Sequence, residues 1–143
     1  MKHIFVKEIM VTKVITVRIT DSLSLVDQTF RMHKIRHLPV INQENQLVGI
    51  VTLSDLLPYI LPRITEEGYV SHHDVADEIG LEKIMTQNPI TLNATDSLIK
   101  AVAIMAEQKF GCIPIVERSN HLVGIITQID VLKFLHRTLA LDS

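Results

Sequence analysis

The sequence predicts an α+β protein made of two β-α-β-β-α repeats packed through their sheets with pseudo-twofold symmetry. Two observations carry this expectation. Nine residues, Leu47-Val48-Gly49-Ile50-Val51-Thr52-Leu53-Ser54-Asp55, recur almost unchanged as Leu122-Val123-Gly124-Ile125-Ile126-Thr127-Gln128-Ile129-Asp130. The same offset of 75 carries Met10 onto Met85, Thr20-Asp21-Ser22-Leu23 onto Thr95-Asp96-Ser97-Leu98, and Pro39 onto Pro114, with no gap between. A unit of roughly fifty residues is therefore written twice. A three-stranded sheet with two helices leaves an apolar face too large for one such unit to cover, so two units packed sheet against sheet bury what neither could alone. The duplication also supplies two related clefts between the units, the kind of place where small ligands bind.

In the first unit, Val14-Ile15-Thr16-Val17 is a short β-branched run and reads as a strand. Thr20-Asp21-Ser22 offers a helix N-cap, and Leu23, Val26 and Phe30 follow at helical spacing to about Lys34, with Asp27, Gln28 and Arg31 on the polar face. Leu38-Pro39-Val40-Ile41 is a second strand, a polar loop covers 42–46, and Leu47 to Val51 is a third. Thr52 caps a helix from Leu53 to about Ile60, its end made irregular by Pro58 and Pro62. The second unit repeats this order: a strand near Ile90 to Leu92, a helix from Ser97 to about Gln108 with Leu98, Ala101 and Met105 inward, and strands Ile113 to Val116 and Leu122 to Ile126. Its last helix, from about Gln128, places Ile129, Leu132, Leu135 and Leu139 on one face as core or dimer residues. The repeats are set at 1–60 and 81–137, with a C-terminal tail at 138–143. Between them 61–80, rich in Pro, Gly and acidic residues, reads as a linker with a short helix near its end.

At 143 residues the chain is one ordinary domain or two small ones, and folding buries roughly two-thirds of the extended chain's surface. Apolar residues make up 47%, so either the core is unusually complete or a second copy covers apolar surface; self-association is the favoured reading. Fourteen basic and 16 acidic residues give a net charge of −2, which offers no general attraction to nucleic acid or an anionic membrane. Cys112 is the only cysteine, so no intrachain disulfide or Cys-based metal cluster can form, and a reducing cytoplasm fits best. The N-terminal apolar run Ile4-Phe5-Val6 is too short for a signal-peptide core, and no run of about 18 apolar residues exists to span a membrane.

Gly49, Thr52 and Asp55, and again Gly124, Thr127 and Asp130, have the spacing Gly-x-x-Thr-x-x-Asp across a strand end and the first turn of a helix. Two readings are open. In one, Thr and Asp form a capping box, worth about 0.5 to 2 kcal/mol of helix stability. In the other, the carboxylate also accepts both hydroxyls of a cis-diol such as ribose. Because an anion already sits at the helix N-terminus, a phosphate is disfavoured there and is expected near Arg36 and His37.

Glu8-Ile9-Met10, Thr20-Asp21-Ser22-Leu23, Arg36-His37-Leu38-Pro39-Val40 and Leu47 through Asp55, with their second copies, resemble a tandem pair of CBS domains, the Bateman module. The likeness covers residues 4–137 apart from the linker. It implies a regulatory module, not an enzyme, that binds AMP, ADP, ATP or S-adenosylmethionine in the inter-repeat clefts and requires no cofactor. Such a module senses nucleotide or energy state and signals through a homodimer, often disc-shaped, or through an unidentified protein partner. The alternative is a structural dimerisation module with empty clefts.

Carried over by position, Asp55 and Asp130 match the ribose-binding acid, and Thr52 and Thr127 the hydroxyl that contacts ribose or phosphate. Thr16 and Thr91 match the first-strand position beside the base. The segments His37-Leu38-Pro39 and Cys112-Ile113-Pro114 are expected to meet base or ribose chiefly through backbone. Lys133 and Arg137 are either solvated or phosphate contacts. Where the first unit has Arg36-His37 the second has Gly111-Cys112, so the first site is expected to prefer a phosphorylated ligand and the second to bind more weakly or take a less charged one.

Catalysis is not expected. Cys112 reads as a structural thiol at a buried strand start, and His33, His121 and His136 read as solvated. Asp55 and Asp130 fall in two sites rather than one. No Gly-rich phosphate loop or dinucleotide fingerprint occurs. His72-His73-Asp74 on an acidic loop reads as solvated rather than as metal ligands.

Overall fold

The computed structural model describes residues 3–60, 63–65, 68–70 and 79–142. In chain order these form β1 (Val17–Arg18), α1 (Leu23–His33), β2 (His37–Ile41), β3 (Leu47–Thr52), α2 (Leu53–Ile60), β4 (Arg63–Thr65), β5 (Gly68–Val70), β6 (Thr86–Gln87), α3 (Leu98–Gln108), β7 (Cys112–Glu117), β8 (His121–Thr127) and α4 (Gln128–Leu141). Single 3-10 turns lie at Val6–Glu8, Leu81–Lys83 and Arg118–Asn120. The architecture is α+β, with the β-α-β-β-α order present twice; in the second repeat the first strand is reduced to a single bridge at Leu92.

The chain forms two compact units, Ile15–Pro89 and Met1–Val14 together with Ile90–Ser143. In the first, the sheet order is β1-β2-β3-β6. β1 runs parallel to β2, β2 and β3 form an antiparallel pair with His37 opposite Thr52, and β6 lies antiparallel to β3. In the second, β7 and β8 pair antiparallel with Cys112 opposite Thr127, Leu92 bridges parallel to Ile115, and Val11 bridges antiparallel to Ile125. The register slips at Val40/Ile41 in one hairpin and at Ile115/Val116 in the other, the same place in both repeats.

Local chemistry explains the helices. Ser22 Oγ accepts from the Leu25 amide at 3.1 Å, and Ser97 Oγ from the Lys100 amide at 3.2 Å, so each helix begins on a serine cap. Lys34 and Lys109 end α1 and α3 in the left-handed region, with φ of 53° and 58°. Leu23, Val26 and Phe30 enter one core with Leu38, Val40, Val51 and Leu56, while Leu98, Ala101 and Met105 enter the other with Ile113, Ile115 and Ile126.

Four details differ from the sequence reading. Of the expected first strand, Val14 to Val17, only Val17 joins the sheet, together with Arg18, and the strand ends there because Asp21 Oδ2 accepts from the Arg18 amide and turns the chain into the α1 cap. Asp27 is not on the polar face but 7% exposed, since it falls in the same i, i+3, i+4, i+7 stripe as Leu23, Val26 and Phe30; Arg31 reaches back to it at 3.1 Å. Pro58 lies inside α2 rather than at its frayed end. The linker contains a hairpin, β4 against β5 with Ile64 opposite Tyr69, formed by residues of high strand propensity amid the Gly and acidic residues. Of the short helix expected near the linker's end, residues 71–78 lie outside the described residues, and the Leu81–Lys83 turn follows.

The glycines in the repeated nine residues are required by close approach. A Cβ on Gly49 would lie 2.7 Å from Met85 Sδ and 2.8 Å from the Thr86 carbonyl oxygen; one on Gly124 would lie 2.8 Å from Met10 Sδ and 3.0 Å from the Val11 carbonyl oxygen. Met10 and Met85 correspond under the repeat, and each covers the glycine of its own compact unit. Gly49→Ala is therefore expected to lower stability by about 1 to 3 kcal/mol in urea unfolding. Adding Met85→Ala should restore only part of the loss, because the Thr86 backbone remains.

Candidate ligand-binding site

At the end of the β2–β3 hairpin, Thr52 and Asp55 form the reciprocal pair expected of a capping box. The Thr52 amide donates to Asp55 Oδ2 at 3.0 Å, and the Asp55 amide donates to Thr52 Oγ1 at 3.1 Å. The second hairpin repeats this: the Thr127 amide donates to Asp130 Oδ2 at 2.8 Å and the Asp130 amide to Thr127 Oγ1 at 3.3 Å. Both carboxylates spend Oδ2 on the cap, and among the described residues nothing donates to Oδ1. No buried side-chain oxygen or nitrogen among them lacks a partner, so each Oδ1 is open to solvent or a ligand. The capping and ligand readings are thus compatible, since one oxygen serves each.

The hydroxyls differ. Thr127 Oγ1 donates to Asp130 Oδ2 at 2.9 Å, whereas Thr52 Oγ1 has no such bond and keeps its proton available to a ligand. The repeated residue types gave no signal of this.

The neighbouring strand start meets each motif in the same way. The Leu53 amide donates to the Arg36 carbonyl at 3.0 Å, and the Gln128 amide to the Gly111 carbonyl at 3.1 Å. Arg36-His37 and Gly111-Cys112 therefore flank their respective Thr-Asp pairs. Leu38 and Ile113 are buried in the two cores, so only their backbone is available at the site; Pro39 and Pro114 are buried too but belong to neither core. Thr16 and Thr91, both half-buried, sit one residue before Val17 and Leu92, which pair with Val40 and Ile115. Lys133 and Arg137 are exposed on α4, one and two turns beyond Asp130, and neither is ion-paired among the described residues.

Electrostatics separate the two ends further. Burial, and secondarily the Arg36 charge, lower the His37 pKa from 6.5, against an upward pull from Asp55. A folded-state value below the unfolded one means the unfolded chain binds the proton first. The stability contributed by neutral His37 is thus present above pH 6.5 and lost as pH falls below it. Urea unfolding at pH 7.5 and 5.5 should show a loss on acidification that is smaller in His37→Gln. At the matching position, burial first and the Asp130 charge second push the Cys112 thiol well above its ordinary range, so it stays protonated.

No group of three or more His, Cys, Asp or Glu among the described residues is arranged to hold a metal ion, and His72-His73-Asp74 lie outside them. No described helix is long and apolar enough to cross a membrane.

The chain is 27% identical over 140 residues to a CBS domain-containing protein of Dictyostelium discoideum, covering 95% of this chain and 94% of that one. It spans only 21% to 24% of the length of four other curated relatives. Among solved structures, it matches a Vibrio cholerae protein described as an acetoin utilization protein, AcuB, with a TM-score of 0.80, 27% identity and coverage of 99% and 96% of the two chains. It also matches the CBS domain pair of protein MJ0100, crystallised in complex with 5′-methylthioadenosine and S-adenosyl-L-methionine, with a TM-score of 0.77 and coverage of 96% and 99%. At 23% identity that second match speaks for the fold alone. The family model for the CBS domain matches residues 6–62 and again 81–137, so this chain belongs to the CBS-domain family and carries the domain twice.

Proposed function

We propose that this protein is a regulatory module that binds an adenosyl ligand, AMP, ADP, ATP or S-adenosylmethionine, beside each Thr-Asp pair. It then reports ligand state through a partner protein or its own dimer. The observation that carries this reading is the division of labour in Asp55 and Asp130: Oδ2 holds the helix cap and Oδ1 is left to accept a ribose hydroxyl. A carboxylate held by the amide of its capping threonine is preorganised, so little entropy is lost when it meets a diol. Membership of a family whose domain pairs serve regulation supports the same conclusion and weighs against a catalytic role. The buried, protonated Cys112 is a poor nucleophile. Ligand that favours one arrangement of the protein shifts its population, and this is the regulatory output.

A thermal-shift screen tests the reading. A rise in Tm with one of these compounds is expected, equivalent to about 2.7 kcal/mol at a hundredfold excess over Kd. No rise with any of them would favour a purely structural dimerisation module.

Homodimerisation is part of the proposal. Ile129, Leu132, Leu135 and Leu139 on α4 are 58%, 58%, 43% and 64% exposed, so they are not core residues; Val131 and Phe134 are the ones packed inward. An apolar stripe of this kind favours a second copy. Leu132→Glu should shift sedimentation from dimer to monomer at micromolar concentration with secondary structure retained.

A further inference from the structure

Each compact unit is completed by the segment that leads into the other repeat. Residues 3–14 precede β1 of the first repeat but fold with the second. The Val6 and Lys7 amides donate to the Asp96 and Ala94 carbonyls at 2.8 and 2.9 Å, and Val6 is fully buried in the core that holds Ile113, Ile115 and Ile126. Farther along this arm, the Val11 amide donates to the Ile125 carbonyl at 2.8 Å and the Ile125 amide to the Val11 carbonyl at 2.9 Å, with Met10 seated on Gly124. The matching segment ahead of the second repeat folds with the first. Leu81 and Ile84 enter the core of Leu38 and Val51, Thr86 and Gln87 pair with Ile50 and Gly49, and Met85 is seated on Gly49. The strands these arms hold, β8 and β3, end at Thr127 and Thr52, the threonines of the two Thr-Asp pairs. Only residues 12–15 then separate Val11 from Thr16, and only 88–90 separate Gln87 from Thr91. Each arm therefore grips the motif strand of one site and runs within a few residues into the first-strand position of the other.

We propose that the two ligand sites are coupled through these crossed arms, so that a ligand at either site firms the motif strand of the other. The proposal rests on the adenosyl reading of both sites, with Thr16 and Thr91 beside the bases. A ligand that fixes Thr16 removes freedom from the short segment behind it, which holds Met10 and Val11 against β8 two residues before Thr127. A ligand that fixes Thr91 holds Met85 and Thr86 against β3 two residues before Thr52 in the same way. The ordering is then partly in place when the second ligand arrives, which gives positive cooperativity without any new contact. By linkage the factor is the same in both directions.

The test uses the full chain carrying Asp130→Asn, which keeps an oxygen for the cap and leaves AMP the first site alone. Adding AMP should slow hydrogen exchange of the Val11 and Ile125 amides, both in the second unit, by about fivefold as read by NMR. Inserting two glycines between Lys13 and Val14 slackens the link, and the slowing should then fall below about twofold while AMP still binds. Val11→Pro removes the amide that donates to Ile125, and by reciprocity it should weaken AMP at the first site about fivefold in calorimetry. An unchanged circular dichroism spectrum checks that each variant folds. No slowing with AMP bound would overturn the proposal while leaving the ribose reading standing. So would equal slowing with and without the insertion, which is what general stabilisation by a ligand gives. If AMP does not bind, or binds equally well to Asp55→Asn/Asp130→Asn, the ribose reading falls and takes this proposal with it.

Discussion

Calorimetric titration with AMP is expected to lose about a hundredfold in affinity on Asp55→Ala and far less on Asp130→Ala. A charge-assisted hydrogen bond from a ribose hydroxyl to Asp55 Oδ1 contributes about 1.5 to 3 kcal/mol, and about 2.7 kcal/mol is a hundredfold. The asymmetry comes from the flanks. Arg36 and His37 adjoin the first motif where Gly111 and Cys112 adjoin the second, and the Thr127 hydroxyl is tied to Asp130 while the Thr52 hydroxyl is not. Alanine also removes the cap, at a cost of about 0.5 to 2 kcal/mol in stability. Asp55→Asn separates the two effects, because the amide oxygen can still accept from the Thr52 backbone while the charge is gone. Equal AMP losses at the two aspartates would refute the asymmetry.

Leu38→Ala should cost about 2 to 5 kcal/mol in urea unfolding. Leu38 is fully buried in the central strand of its sheet, opposite Val51, which is also fully buried, and it packs in a core that takes side chains from both α1 and α2. Set against a typical total of about 5 to 15 kcal/mol, such a loss is a large part of the protein's stability. Because only the backbone of Leu38 lies at the ligand-binding end, affinity measured well below the new melting point should change little. A stability loss below about 1 kcal/mol would show that the core relaxes freely around this position.

The sequence made α3 legible almost to the residue, because Ser97 caps it and Leu98, Ala101 and Met105 follow at helical spacing. The capping pairs Thr52–Asp55 and Thr127–Asp130 were equally legible, since cap chemistry depends on residues three apart and on little else. Asp27 was misplaced because its charge outweighed its spacing; the i+4 position from Leu23 put it on the buried stripe. On α4 two apolar faces compete, Ile129-Leu132-Leu135-Leu139 against Val131-Phe134, and periodicity states the spacing of a face without saying which one meets the core. β6 is two polar residues, Thr86–Gln87, that become a strand only because β3 offers an edge. The space of about 260 Å³ lined by Phe30, Arg31, Lys34, Ile35, Arg36 and Leu53 was hidden for a related reason: these residues come from a helix end, a strand start and a second helix, and only the folded chain brings them together.

The most direct test of ligand sensing is to denature the purified, unlabelled protein and analyse the released small molecules by mass spectrometry, beside a double variant Asp55→Asn/Asp130→Asn. An adenosine-containing compound should be released by the unchanged protein and be absent or strongly reduced from the variant. Release of no such compound, together with no calorimetric signal when AMP, ADP, ATP or S-adenosylmethionine is added back, would contradict it.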